Sequence, residues 1–150
     1  MTRADTTRSG GWQLAALVPA VLGLAVAAYL TVEHYEGSST LACPDTGTIN
    51  CLKVTTSSYS QVAGVPVAVA GLAYFVVMVA LLLPAAWRIR ALDPVRVAGA
   101  VAGVGTVVYL VWVELFKLDA LCLWCTAVHL CVLGMFGGIL WHVTGATSAP

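Results

Sequence analysis

The sequence predicts an all-α membrane protein, a four-transmembrane-helix bundle with a long extracytoplasmic loop between its first and second helices. Three observations carry that expectation: the scarcity of charge, the recurrence of long apolar runs and the placement of the arginines. Charged side chains make up 9% of the 150 residues and hydrophobic ones 60%. Mean hydropathy is +0.92, whereas a soluble domain carries roughly 25% charged residues. Four apolar stretches, at residues 11–32, 62–83, 96–116 and 120–142, approach or exceed the about 17 to 25 residues that cross the hydrocarbon core. A single membrane domain over residues 1–150 is expected, because the internal connections are too short for a second domain. The formal net charge of zero leaves no basic surface, which excludes nucleic acid as a partner class.

In the first stretch, Arg3 and Arg8 precede an uncharged run with Trp12 and Tyr29 near its ends, an arrangement like an aromatic belt. A cleaved signal peptide ending near Ala25-Val26-Ala27 is the competing account, but the uncharged run is longer than a signal core. The helix is therefore expected to be retained. Residues 1–8 and 144–150 are expected to be disordered ends.

The loop at 33–61 is rich in Ser, Thr, Gly and Pro and carries Cys43 and Cys51. Between them Pro44, Asp45 and Gly47 favour turns, so the chain can double back and bring the two thiols together. Taken alone, such a pair reads as a permanent staple ahead of a redox-active disulfide, because extracellular loop disulfides are mostly structural; the second cysteine pair is what raises the redox reading. The second stretch is apolar throughout, and the connection after it, 84–96, holds Arg88, Arg90 and Arg96. The third ends on Glu114, which reads as a solvated helix end.

The fourth stretch opens with Asp119 as an expected N-cap, followed by Cys122-Leu123-Trp124-Cys125. That cap would put Cys122 at the third helical position, where free N–H groups favour a thiolate against the opposing charge of Asp119. Cys125 would then lie about 4.5 Å deeper, and Cys122 nearer the surface. A C-x-x-C pair within an apolar run points to two-electron chemistry. Packing by small side chains and a zinc site built from all four cysteines are the bland alternatives. Haem attachment is excluded because Thr126, not histidine, follows Cys125. His129, four residues on, shares a helix face with Cys125. Cys131 has no evident partner and reads as packing.

Five arginines (Arg3, Arg8, Arg88, Arg90 and Arg96) fall on one face of this arrangement and two lysines (Lys53 and Lys117) on the other. The positive-inside rule then places both termini and the 84–96 connection in the cytoplasm, and both cysteine pairs at the extracytoplasmic surface. An exterior that sustains disulfides suits that placement.

These pieces resemble, in order and spacing, the vitamin K epoxide reductase family, in particular its bacterial members that oxidise thiols and reduce quinones. The resemblance spans roughly residues 24–135. It rests on Tyr29-Leu30-Thr31 leading to Glu33-His34-Tyr35, and on Cys43 with Cys51, Lys53, Val54 and Ser57. Gly64-Val65-Pro66 with Gly71, and Ala120-Leu121-Cys122-Leu123-Trp124-Cys125, complete it. It implies a helix bundle around a quinone, of menaquinone, ubiquinone or vitamin K type, with Cys122 and Cys125 as the active-site pair and Cys43 and Cys51 as a shuttle. Some members of that family carry a fused thioredoxin-like domain; none is expected here, so a separate thioredoxin-fold carrier of the DsbA type would donate electrons through the shuttle, in the inner or plasma membrane. His129 and Ser57 are the expected quinone-binding or supporting residues. Val67 stands where vertebrate relatives carry an asparagine donor, which argues against epoxide reduction. Vitamin K epoxide or quinone reductase activity, and a noncatalytic membrane subunit with structural disulfides, are the alternative functions.

Overall fold

The computed structural model describes residues 3–37 and 41–147, with side chains described over 11–37 and 41–145. Its long helices are α1 (Arg3–Glu36), α3 (Val67–Leu82), α4 (Asp93–Val113) and α5 (Leu123–Thr147). A short helix, α2 (Cys51–Thr55), lies within the long loop. Three stretches are long and apolar enough to cross a membrane: Gly11–Glu36, Arg90–Leu118 and Leu123–Gly145. Helix α3, at 16 residues, is only about 24 Å long at 1.5 Å per residue. Residues 3–8 and 144–147 are helical, not the disordered ends expected of them; residues 1–2 and 148–150 lie outside the described residues.

The second apolar stretch becomes helical five residues later than expected. Gln61–Val62 (β1) and Val65–Pro66 (β2) pair as a small hairpin, Gln61 opposite Pro66 and Val62 opposite Val65. Its two-residue turn, Ala63-Gly64, has φ of 52° and 81°, the double positive φ of a type I′ hairpin turn. Pro66 then holds the residue before it extended and starts α3. Apolarity alone gave no sign of this break.

Helix α1 packs along α5 and α3, and α5 also packs along α4. Small side chains make the closest approaches possible. A Cβ on Gly138 would stand 2.5 Å from the Ala16 backbone nitrogen, and one on Gly134 3.2 Å from the Pro19 ring. Gly105 and Gly137 would meet nothing within 4 Å, so close packing does not explain them. One core cluster joins Ala16, Ala20, Met78, Leu82, Met135 and Ile139. A second, nearer the cysteine loop, joins Ala27, Phe75, Val107 and Val132, with Cys131 packed against it as the sequence suggested.

Arg96 belongs to the first turn of α4 and not to the connection before it. It is 1% exposed, and its Nε donates to the Leu81 carbonyl at 2.8 Å. Its guanidinium also donates to Ala86, pairs with Asp93 and lies 4.3 Å over the Trp87 ring. Trp87 Nε1 donates to the Leu82 carbonyl at 2.9 Å. Carbonyls at the end of α3, which have no helical partner, are thereby satisfied out of water.

At the other end α4 runs on into a single π turn, Glu114–Leu118, which stops at Asp119 in the left-handed region (φ 45°, ψ 42°). Asp119 therefore closes the preceding turn and does not cap α5, which starts at Leu123. Cys122 takes the capping place. Its Sγ accepts from the Cys125 amide at 3.1 Å and its carbonyl from the Thr126 amide at 2.9 Å.

Candidate redox site

Both cysteine pairs are disulfide-bonded, Cys43 to Cys51 with Cα atoms 6.1 Å apart and Cys122 to Cys125 with Cα atoms 5.1 Å apart. The long loop reaches the second pair through a backbone clamp. Ile49 forms a parallel bridge with Leu121: the Leu121 amide donates to the Thr48 carbonyl at 2.8 Å and the Asn50 amide to the Leu121 carbonyl at 3.0 Å. The residues that follow these partners are Cys51 and Cys122, so the clamp aligns one cysteine of each pair. Asn50 Oδ1 accepts from the Lys53 amide at 2.8 Å, capping α2 and fixing Cys51 at its first position.

A second anchor holds the outer part of the loop. Trp124 Nε1 donates to the Ala42 carbonyl at 2.9 Å, and the Ala42 amide donates to the Tyr29 hydroxyl at 3.2 Å. The rings of Tyr29 and Trp124 lie 4.9 Å apart. Cys43, next in the chain, is thus tied to α1 and α5 while remaining partly exposed.

Accessibility within the pairs differs from the sequence expectation. Cys122 is fully buried and Cys51 only 1% exposed, while Cys43 and Cys125 are partly open. Depth was inferred from a helix containing both Cys122 and Cys125, whereas Cys122 lies before the helix and beneath the loop. The order of contact is consequently Cys43 outward, Cys51 and Cys122 covered, and Cys125 facing inward.

Cys125 faces a partly open cavity of about 300 Å³ lined by all four long helices and the loop. Its wall is mainly apolar, with Leu30, Phe75, Val107 and Val132 among its residues. Polar side chains also reach it, among them His34, Ser57, Tyr59, Tyr74, Glu114 and His129. His129 is 6% exposed, and the structure brings it to the same cavity as Cys125. Ser57 also reaches the wall, but its hydroxyl donates to the Val54 carbonyl at 2.8 Å. Val67 lines the cavity from the start of α3 and supplies no polar group.

Glu114 departs most from its sequence reading. It is not a solvated helix end: it is 3% exposed, and Oε2 accepts from the Cys122 amide at 3.4 Å. The π turn begins at this residue, as such turns often do near functional positions. A carboxylate within an apolar run, eight residues ahead of a C-x-x-C, was the available signal.

An apolar cavity thus touches one sulfur of the Cys122–Cys125 disulfide, with the Cys43–Cys51 disulfide clamped beside it, so two thiol–disulfide couples stand in series next to an apolar site. No curated protein matches the chain. Residues 14–139 match the model of the Vitamin K epoxide reductase family. The match runs from α1 to α5 and takes in both disulfides and the cavity wall between them; the chain belongs to this family of membrane oxidoreductases.

Proposed function

We propose that the protein is a quinone-dependent thiol oxidase that reoxidises an exported thioredoxin-fold carrier of the DsbA type. The observation that carries this reading is the clamp between Ile49 and Leu121, which joins a partly exposed disulfide to one that opens on an apolar cavity. A reduced carrier attacks Cys43, the accessible sulfur, and the Cys43–Cys51 disulfide becomes a dithiol through a mixed disulfide. Cys51 then attacks Cys122, Cys125 leaves as a thiolate, and Cys43 resolves the Cys51–Cys122 bridge.

The cavity suits a quinone ring. Its volume falls at the lower end of small-molecule sites, its wall is mainly apolar, and polar side chains reach it. Cys125 and His129 would lie along the ring, with Ser57 and Tyr59 at the loop side. When bound, a quinone supplies the capacity to take two electrons and two protons. The residues around it would give the ring an apolar surface and hold Cys125 against it. An epoxide substrate calls for a polar donor that Val67 does not provide, so quinone reduction is favoured over epoxide reduction.

The proposed setting is a plasma or inner membrane crossed four times, with α3 as the shortest span, both termini cytoplasmic and both disulfides at the extracytoplasmic face. Purified protein mixed with a reduced thioredoxin-fold donor and a soluble quinone tests the activity. Hydroquinone should form in proportion to donor thiols oxidised, and Cys122→Ala should abolish it. Intact bridges in the wild-type protein, inert to the donor, would support a noncatalytic subunit instead.

A further inference from the structure

We infer that Glu114 is the proton acceptor for the Cys122 thiol when the Cys122–Cys125 disulfide closes. The inference rests on the quinone-dependent oxidase reading. Disulfide closure from the dithiol breaks two S–H bonds, makes one S–S bond and releases two electrons and two protons. Both electrons and both protons end on the quinone acceptor, giving hydroquinone. Cys125 faces the cavity, so its proton has a direct way out. Cys122 has none: it is fully buried beneath the clamped loop and does not line the cavity.

Glu114 supplies the missing path. Its Oε2 touches the amide of Cys122 itself, and the same side chain contributes to the cavity wall. The carboxylate is 3% exposed, and among the described residues the Cys122 amide is its one hydrogen-bond partner. Structural satisfaction of a single amide is a poor reason to bury a carboxylate, because a neutral amide side chain would serve as well at a lower desolvation cost. A carboxylate with spare acceptor capacity can instead hold the thiol proton as the sulfur attacks and release it toward the cavity, returning to its starting charge. Other titratable groups facing that cavity are His34, Tyr59, Tyr74 and His129. His129 is placed on α5 with Cys125, so it belongs to the exit side of the path and not to Cys122.

Redox-difference infrared spectroscopy on the full-length protein, poised with a dithiol/disulfide buffer and no quinone, tests the inference independently of oxidase activity. Reduction should perturb a carboxylic C=O stretch that is missing in Glu114→Gln and displaced in Glu114→Asp. The glutamine variant keeps an oxygen for the Cys122 amide, so a purely positioning role predicts little change in single-turnover oxidation. A proton-accepting role predicts a loss of about 100-fold, an ionisation missing from the pH–rate profile, and partial recovery in Glu114→Asp. An infrared spectrum with no carboxyl signal assignable to Glu114, or a Glu114→Gln variant that keeps the wild-type pH profile, would overturn the inference. Should the glutamine variant not fold, the aspartate variant carries the same test through its displaced band. If the wild-type protein shows the band but reduces no quinone, the oxidase reading fails and the Glu114–Cys122 coupling stands.

Discussion

Burial separates the four paired cysteines by accessibility in a way that their spacing alone does not reveal. Cys43 and Cys125 are the partly open members of their pairs, while Cys51 and Cys122 are shielded and follow directly on the clamped residues Asn50 and Leu121. In the proposed relay, a thiol released at Cys51 would meet Cys122 under the cover of the loop. Removing Cys125 leaves Cys122 with no resolving partner inside its own pair. In Cys125→Ala, turnover should cease and a Cys51–Cys122 bridge should accumulate, seen by peptide mapping under nonreducing conditions. Cys122→Ala should also stop turnover but should trap no such bridge. A Cys51–Cys125 bridge in that variant would reverse the assigned order. Cys131, packed against the second core cluster, should be replaceable by serine or alanine without loss of either result.

Among the elements, the α1–α5 crossing sets the bundle, and Gly138 is its tightest point. A methyl group there would meet the Ala16 nitrogen at 2.5 Å and its Cα at 2.7 Å, backbone atoms that cannot rotate away. Gly138→Ala should thus cost about 1–3 kcal/mol of stability, measured as a lower midpoint of thermal unfolding in detergent. Gly137→Ala, with nothing within 4 Å, should be close to neutral. The apolar runs, the two cysteine pairs and the loop between the first helices were legible because hydrophobic length and cysteine spacing are local signals. Three features were not. The Ala63-Gly64 hairpin turn is hidden in a run of uniform apolarity, and the Ile49–Leu121 bridge joins residues 72 positions apart with no sequence mark. Asp119 has the identity of an N-cap but is held in a left-handed turn by the π turn before it, which also swings Glu114 inward. In each case tertiary contacts override a sound local expectation.

Across the whole molecule, the two ends of the bundle use their charges differently, and this bears on how it sits in a membrane. Arg96 is buried on carbonyls at the end of α3 and neutralised by Asp93, so it contributes little free positive charge. Arg88 and Arg90 beside it remain exposed. At the cysteine end Lys117 lies 5.2 Å over the Trp112 ring, a position from which its ammonium can reach the headgroup region. Aromatic clusters mark both ends: Trp12 stacks on His142 at 4.1 Å at one, and Tyr29 meets Trp124 at 4.9 Å at the other. Trp12 and Tyr29 are 17 residues apart on one helix, about 25 Å along its axis, close to the thickness of a hydrocarbon core. In the proposed orientation, which puts Arg88 and Arg90 on the cytoplasmic side, the loop that carries Cys43 would face outward. An impermeant thiol reagent added to intact cells after mild reduction should therefore tag Cys43, the partly exposed member of the pair. In Arg90→Cys the introduced thiol should stay untagged until the membrane is opened. Peptide mapping distinguishes the sites, so the native cysteines do not obscure the result. Tagging at position 90 in intact cells would invert the bundle, put both disulfides in a reducing compartment and remove the exported carrier from the proposed function.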